Sequence, residues 1–226
     1  MSGRLHPAAR EMQATCCGIK GAGNPDDEKD TPMTVDDRPR CAWMGNDIKM
    51  LDYHDREWGV PLHDDRKWFE FLVLDAFQAG LSWRTVLHKR EAFGRVFHGF
   101  DPRKVARMSD AAKARAREDK TIIRNRLKIE ATVKNARAFL RLQEARGSFD
   151  VFIWGFTEGR TVHNAWKTMD QIPASTPLSD KVSRALKAEG FSFVGSTICY
   201  SLLQAAGVVN DHLVHCFRYQ ELAGSA

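Results

Sequence analysis

Four residues with metal-binding side chains lie near the two ends of the patterned part of the chain. Cys41 and His54 come early, and His212 and Cys216 come late. The late pair is spaced i and i+4, so on a helix both side chains would share one face. Two cysteines with two histidines form a common closed tetrahedral zinc set, which is structural rather than catalytic. Neither pair is a compact C-x-x-C hook, so spacing alone leaves a chance placement open.

Asp75 is a carboxylate in an apolar segment. It lies in FEFLVLDAFQAG, a sequence typical of a buried helix. A buried carboxylate without a partner is costly or is neutralised through a shifted pKa, and such perturbed groups gather at functional sites. Two interpretations remain open: a structural acceptor for a nearby backbone group, or a site residue that binds a ligand.

Two aromatic residues lie beside predicted turns. Tyr53 directly precedes one candidate metal ligand, and Trp83 follows the turn QAGLSW. Aromatic faces stack on nucleic-acid bases and attract cationic rings. Most aromatic residues are simply part of a core. Because the chain also contains Trp43, Trp58 and Trp68, composition alone does not identify which aromatic residues bind a ligand.

The segment GFSFVGST, residues 190–197, separates two predicted helices. Its glycines permit a close approach, and the unpaired amides at the start of the next helix can hold a phosphate. Glycine-containing helix connections also occur in proteins that bind no nucleic acid. The hairpin alone therefore does not decide the function.

Composition favours one globular domain. With 226 residues, 43% of them hydrophobic, the chain can bury a sizeable core. Lys and Arg exceed Asp and Glu by 34 to 29, which favours polyanionic partners without requiring them. Five cysteines without a secretory pattern argue against a disulfide framework. No membrane span or signal peptide is recognisable, so we expect a cytoplasmic protein without a membrane partner.

The hydrophobic pattern from Cys41 onward predicts helices, and residues 1–40 have no such pattern. The predicted helix signals are Asp64 or Asp65 with a stop at Gly80, Ser82 opening WRTVLHKREAF, Asp101 and Ser109 opening short helices, RLKIEATVKNARAFLRLQEAR with a stop at Gly147, Ser179 opening DKVSRALKAE, and Ser196 opening a helix that ends at Gly207. Basic residues crowd the start of the long helix, namely Arg124, Arg126, Lys128, Lys134 and Arg137. We favour a solvated helix face over a direct DNA contact for them.

Several strings, in this order, resemble the DNA-3-methyladenine glycosylase I family: CAWMGND, YHDREWGVPLHDDRKWFE, QAGLSWRTVLHKRE, IIRNRLKI, NARAFL, FSFVGSTICYSLLQAAGVVNDH and HLVHC. The resemblance covers residues 41–219. Residues 1–40 lie outside it, and their polar, Gly/Pro/Asp-rich composition predicts a disordered N-terminal tail, while residues 220–226 are predicted to form a C-terminal tail. It implies an all-α helix-hairpin-helix glycosylase fold with two helical lobes. It also implies one structural Zn²⁺ per chain, which joins the chain ends through Cys41, His54, His212 and Cys216.

The resemblance further implies roles for residues around a base pocket. Tyr53 and Trp83 fall at positions that sandwich the flipped base, with Trp43 at the pocket's edge and Gln78 as a further base-binding residue. Asp75 falls where the family usually has glutamate, which hydrogen-bonds the edge of the base. Gly195, Ser196 and Thr197 belong to the hairpin that grips the DNA backbone. Leu81, from its position at the turn, is a candidate wedge that fills the gap left by the base.

The activity implied is hydrolysis of the N-glycosidic bond of 3-methyladenine in double-stranded alkylated DNA, by a monomer. A zinc-stapled DNA-damage-binding module without glycosylase activity is the main alternative. A metal-dependent hydrolase is disfavoured, because four protein ligands leave no open coordination position. Asp211 lies where many relatives in the superfamily place a catalytic aspartate, but we favour a helix cap for it.

Overall fold

The computed structural model describes residues 36–224, and this part of the chain is almost entirely helical, which confirms the predicted all-α class. Its α-helices are α1 (Ile48–Arg56), α2 (Asp65–Gln78), α3 (Trp83–Leu87), α4 (Arg90–Val96), α5 (Pro102–Val105), α6 (Asp110–Glu118), α7 (Arg126–Arg146), α8 (Phe149–Trp154), α9 (Pro177–Ala188), α10 (Ser196–Ala205) and α11 (Phe217–Ala223). Two short strands, β1 (Val162–His163) and β2 (Val209–Asn210), pair in parallel. None of the helices in the described range has the length and apolarity that a membrane crossing requires.

Several predicted helix ends are confirmed. The side chain of Asp64 accepts a hydrogen bond from the amide of Lys67 and so caps α2. Asp101 and Ser109 cap α5 and α6 in the same way. The helix α7 covers the whole predicted string and ends at Gly147, whose φ of 87° is one that glycine adopts readily.

Three local predictions are wrong. The helix expected after Ser82 is interrupted at residues 88–89 and forms α3 and α4. The cap of α9 is Thr176, and Ser179 is the third helical residue of a capping box in which each side chain accepts from the other's backbone amide. His212 and Cys216 do not lie on a helix, because the chain turns between β2 and α11. The same capping residue types and the same i, i+4 spacing occur in the predicted and in the observed arrangements, so the local sequence does not distinguish between them.

The central helix α2 is buried over most of its length. It packs against α7, α8 and α10, and α10 in turn packs against α9. Aromatic pairs fill the core around it: the ring centroids of Phe69 and Phe139 lie 5.3 Å apart, and those of Phe77 and Phe93 lie 4.6 Å apart. The carboxylate of Asp75 therefore enters the centre of the molecule on a helix that is apolar almost all round.

Both ends of the described range pack on the fold. The amide of Phe217 donates to the carbonyl oxygen of Pro39 at 2.9 Å, and the guanidinium of Arg38 lies 3.7 Å from the centroid of the Phe217 ring. Residues 36–40 thus contact α11, which continues to Ala223. The predicted boundaries at 40 and 219 stay predictions, and most of the predicted N-terminal tail lies outside the described residues.

Candidate active site and metal centre

The four predicted ligands come together at the junction of the chain ends. Sγ of Cys216 lies 3.5 Å from Nε2 of His54 and 3.5 Å from Nδ1 of His212, and Sγ of Cys41 lies 3.7 Å from Nδ1 of His212. All four side chains are buried, and their ligand atoms lie within 4.8 Å of one another. This group can hold a metal ion.

The distances suit a small tetrahedral ion. Ligand bonds of about 2.0–2.3 Å, as zinc makes to nitrogen and sulfur, place the donor atoms of a tetrahedron roughly 3.5 Å apart. The measured separations fall near this value. The hydrogen bond with Cys41 and the two imidazoles lower the pKa of Cys216, whereas the contact with Cys216 raises the pKa of Cys41. A thiolate is therefore favoured at Cys216, and a cation would favour a second one at Cys41.

Neighbouring groups orient both imidazoles. Nδ1 of His54 donates to Asp55 at 2.7 Å, and the same carboxylate is paired with the Arg40 guanidinium at 2.8 Å. Nε2 of His212 donates to the carbonyl oxygen of Trp58 at 3.0 Å. These bonds leave Nε2 of His54 and Nδ1 of His212 free to face the cluster, as ligation requires.

Trp58 connects the Cys/His cluster with an adjacent pocket. Its ring lies 4.5 Å from the imidazole of His212 and stacks near that of His54 at 6.3 Å. The segment after Trp58 also packs closely on Gly207. A Cβ atom at Gly207 would lie 2.5 Å from the backbone of Val60 and Pro61, so only glycine permits this approach. The indole of Trp58 forms part of the pocket wall.

The pocket has a volume of about 240 Å³ and is enclosed mainly by aromatic and apolar groups. Its lining contains five predicted site residues, Trp43, Tyr53, Asp75, Gln78 and Trp83, together with Trp58, Met169, Ile172, Ser201, Gln204 and Ala205. A cavity of this size fits one flat heterocycle, since a nucleobase is smaller than the usual drug-sized ligand.

Asp75 is a buried carboxylate whose Oδ2 has no hydrogen-bond partner. Burial raises its pKa well above the ordinary value. Of the two open interpretations, a structural acceptor satisfied by backbone groups does not fit this unpaired oxygen. A buried and unpartnered carboxylate oxygen such as Oδ2 of Asp75 is typical of a ligand-binding site.

Two indole nitrogens beside the same pocket are also unpaired. Within residues 36–224, four buried side-chain polar atoms lack a partner, and three of them, Trp43 Nε1, Asp75 Oδ2 and Trp83 Nε1, belong to residues of this pocket. Buried polar groups in folded proteins are nearly always satisfied. Such a concentration of exceptions points to a polar ligand with both donors and acceptors.

The rings of Tyr53 and Trp83 contact each other directly. Their centroids lie 5.1 Å apart with an angle of 44° between the planes. A base between two parallel rings needs about 7 Å, which is two carbon contact distances of roughly 3.5 Å. The sandwich expected from the resemblance therefore requires these rings to separate by about 2 Å and to become parallel.

Asp211 does not lie in the pocket and does not cap a helix. Its carboxylate accepts hydrogen bonds from four side chains, those of Asn164, Trp166, Tyr200 and Gln204. The residue is 1% exposed. With its acceptor sites occupied in this way, Asp211 fixes the segments around α10 rather than facing a substrate.

The predicted DNA-binding residues lie at two places on the surface. Leu81 is 44% exposed at the turn between α2 and α3. Gly195 is the N-cap residue of α10 and offers no capping side chain, so the first amides of this helix have no side-chain partner at that position. The hydroxyl of Ser196 is hydrogen-bonded to that of Ser179 at 2.8 Å, and the DNA-binding role expected for the amides at the start of this helix stays a prediction.

Sequence reasoning missed part of the pocket wall. Ser201, Gln204 and Ala205 share one face of α10, and their i, i+3, i+4 spacing could have shown this. Met169 begins a short 3-10 helix, Met169–Gln171, and Ile172 directly follows it; a single turn of this kind gives no periodic sequence signal. Lys128 also differs from the prediction of a solvated face, because it is 5% exposed.

A profile of the methyladenine glycosylase family matches residues 43–219. The chain is 48% identical over 180 residues to DNA-3-methyladenine glycosylase 1 of Escherichia coli (strain K12), covering 80% of this chain and 96% of the relative. It is 43% identical over 177 residues to DNA-3-methyladenine glycosylase of Haemophilus influenzae (strain Rd), covering 78% and 96%.

Solved structures agree in fold. A crystal structure of 3-methyladenine DNA glycosylase I has a TM-score of 0.77 and 48% identity, with 79% of this chain and 98% of that chain covered. A variant of 3-methyladenine DNA glycosylase I in complex with 3-methyladenine has a TM-score of 0.77 and 35% identity, with 79% and 96% covered. By profile, identity and structure, the chain belongs to the methyladenine glycosylase family.

Proposed function

We propose that this protein excises 3-methyladenine from alkylated double-stranded DNA in base-excision repair, by hydrolysing the N-glycosidic bond of a flipped nucleotide. One observation supports this most directly: an aromatic pocket of nucleobase size contains a buried, unpartnered carboxylate, Asp75. The names of the relatives point to the same reaction.

The lesion carries its own activation. Methylation at N3 makes adenine cationic, so the glycosidic bond is weakened and the base leaves as a neutral molecule. The protein must extrude the nucleotide, recognise the charged ring and admit water to the sugar cation. Little acid catalysis is required, which agrees with a pocket that has no histidine or lysine in its wall.

Asp75 is proposed to recognise the cation. Burial raises the pKa of Asp75, and a cationic base beside it would lower that pKa again by direct attraction. Unmodified adenine brings no charge and would leave the carboxyl desolvated. The carboxylate would accept a hydrogen bond from the amino edge of the base, so selectivity and catalysis depend on the same group.

The aromatic residues are proposed to hold the base. Tyr53 and Trp83 would part to offer faces to the ring, each contact contributing about 0.5–2 kcal/mol with a cation. Trp43 and Gln78 complete this base-binding set. On the surface, Leu81 would enter the gap in the duplex, and the amides at Gly195, Ser196 and Thr197 would bind a phosphate.

The metal is proposed to be one structural Zn²⁺ per chain, bound by Cys41, His54, His212 and Cys216. It would supply no reactive water, since four protein ligands complete a tetrahedron. It would hold the ends of the domain together and support Trp58 through His212. Elemental analysis of the purified protein should find about one zinc per chain. A monomeric state and a cytoplasmic location stay predictions.

The deciding experiment is chromatographic identification of the bases released from randomly methylated DNA. We expect free 3-methyladenine and no release of unmodified adenine. Binding to a duplex with an abasic analogue, without release of any base, would instead identify a DNA-damage-binding module. An Asp75→Asn variant is the matched control for a contaminating glycosylase, because it should lose most of the release.

A further inference from the structure

Lys128 is a buried lysine that the reaction described above does not use. It is the third residue of α7 and is 5% exposed. Its Nζ donates to the carbonyl oxygens of Phe77 at 2.8 Å and Ala79 at 2.6 Å. These carbonyls lie at the end of α2, where the helix leaves acceptors unpaired and its dipole attracts a cation. Lys128 therefore stabilises the end of α2 from a different helix.

The chain segment held by Lys128 leads directly into the site. Gln78, the last residue of α2, lines the pocket, and the amide of Leu81 donates to its carbonyl oxygen at 2.6 Å. Ser82 then caps α3, whose first residue, Trp83, also lines the pocket. The position of the exposed Leu81 side chain thus depends on a turn, residues 79–82, that Lys128 anchors.

Asn135 anchors a second surface loop in a similar way. It lies seven residues after Lys128 on α7 and is 2% exposed. Its Nδ2 donates to the carbonyl oxygen of Ser192 at 2.9 Å, and its Oδ1 accepts from the amide of Ser192 at 2.8 Å. Ser192 lies in the hairpin 190–195 that precedes α10. This pair of bonds fixes the hairpin in one orientation.

The two anchors share one face of a single helix. Seven residues correspond to about two turns and a rise of roughly 10 Å. Buried polar groups that are hydrogen-bonded favour one geometry, because the alternatives leave these groups unpaired. The helix α7 therefore sets the separation between the turn 79–82 and the hairpin 190–195.

We propose that Lys128 and Asn135 are positioning residues, which use α7 to hold the turn 79–82 and the hairpin 190–195 at the spacing needed to grip one duplex while a base is extruded. This inference rests on the proposed function. Extrusion needs the DNA backbone held at one point and the vacated gap filled at another. A fixed spacing prepares both contacts before the DNA arrives.

The test compares Lys128→Met and Asn135→Leu with a control on the same helix face. Thr132→Val is that control, because Thr132 is 2% exposed and its hydroxyl donates only to the carbonyl oxygen of Lys128, at 2.9 Å. Affinity is measured for free 3-methyladenine and for a duplex with an abasic analogue. We expect each anchor variant to weaken duplex binding by about tenfold. Free-base binding should fall by less than about twofold in Asn135→Leu, and by clearly less than duplex binding in Lys128→Met, because Gln78 and Trp83 adjoin the turn that Lys128 holds. The control should change neither.

A double variant tests whether the two anchors share a role. Stability effects at separate sites should add, whereas the loss of duplex binding should be no larger than the greater single loss, since the spacing is lost once. The proposal would be overturned if the fold losses of duplex binding in the two single variants multiplied in the double variant. It would also be overturned if free-base binding fell as much as duplex binding. Lys128→Gln, which removes the charge but keeps an amide donor group, replaces Lys128→Met if the latter does not fold. Absence of base release by the unaltered protein would contradict the proposed function alone, since the duplex comparison does not depend on turnover.

Discussion

Nε2 of His212 donates a hydrogen bond to the carbonyl oxygen of Trp58 at 3.0 Å, and the indole of Trp58 lines the pocket that contains Asp75. A candidate metal ligand and a pocket wall are therefore joined by one bond. His212 is oriented by both the cluster and Trp58. Loss of a bound metal ion should therefore loosen Trp58 in the pocket wall, although the ion would not contact a base in the pocket.

Removal of the metal is expected to destabilise the fold before it affects the chemistry. Chelation under mild conditions, with the protein still folded, should leave base release within about threefold, because the metal supplies no reactive group. Thermal unfolding with and without chelator should show a clear fall in the melting temperature. Rapid loss of release at an unchanged melting temperature would contradict a structural metal.

A cysteine in the cluster should differ from a cysteine in the core. Cys216→Ser is expected to lose the metal, because serine does not replace a thiolate ligand. Cys199→Ser is the matched control, since Cys199 is also buried but its Sγ donates to the carbonyl oxygen of Val194 at 3.4 Å, away from the cluster. Metal content measured by elemental analysis should fall only in the first variant. Equal content in both would remove Cys216 from the ligand set.

Asp75→Asn should fold and lose excision. The amide keeps the size of the side chain but removes the charge that favours a cationic base. We expect at least about a tenfold fall in single-turnover release of 3-methyladenine, the scale of one charge-assisted hydrogen bond. Binding to a duplex with an abasic analogue should stay unchanged. Release at the rate of the unaltered protein would sink the assignment of Asp75.

The same substitution should stabilise the protein as the pH rises. The folded-state pKa of Asp75 is raised by burial above its unfolded value of about 3.9, so the folded chain holds a proton that the unfolded chain releases. Stability from this group is full below about pH 4 and is lost as the pH rises through the folded-state pKa. The melting temperature of Asp75→Asn minus that of the unaltered protein should therefore increase as the pH is raised above about pH 4. A constant difference would show that the carboxyl titrates normally.

Asp211→Asn should behave oppositely to Asp75→Asn. Each carboxylate oxygen of Asp211 accepts hydrogen bonds from two side chains. In Asp211→Asn an NH2 group replaces one of these oxygens, so its two N–H donors would face two other donors. We expect a loss of about 2 kcal/mol or more in the free energy of unfolding, measured by urea denaturation. Below the melting temperature, single-turnover release should stay within about threefold. A large fall in release by the folded variant would instead assign Asp211 to the reaction.

Local sequence signals predicted the parts of this protein that depend on near neighbours. The caps at Asp64, Asp101 and Ser109 and the full extent of α7 follow from contacts within a few residues. The four candidate metal ligands were recognisable by residue type, because thiol and imidazole groups are common zinc ligands. The spacing of His212 and Cys216 misled, since i and i+4 residues can also meet across a turn.

The tertiary structure decided everything that depends on partners far apart in sequence. Lys128 is buried because its ammonium donates to carbonyl oxygens about fifty residues earlier in the chain. Asp75 is unpaired because, within the described residues, no donor lies within hydrogen-bond distance of its Oδ2. Neither outcome is encoded in a local pattern. The sequence determined which residues can do chemistry, and the packing of α2 against α7 and α10 determined which of them are left with unsatisfied groups to do it.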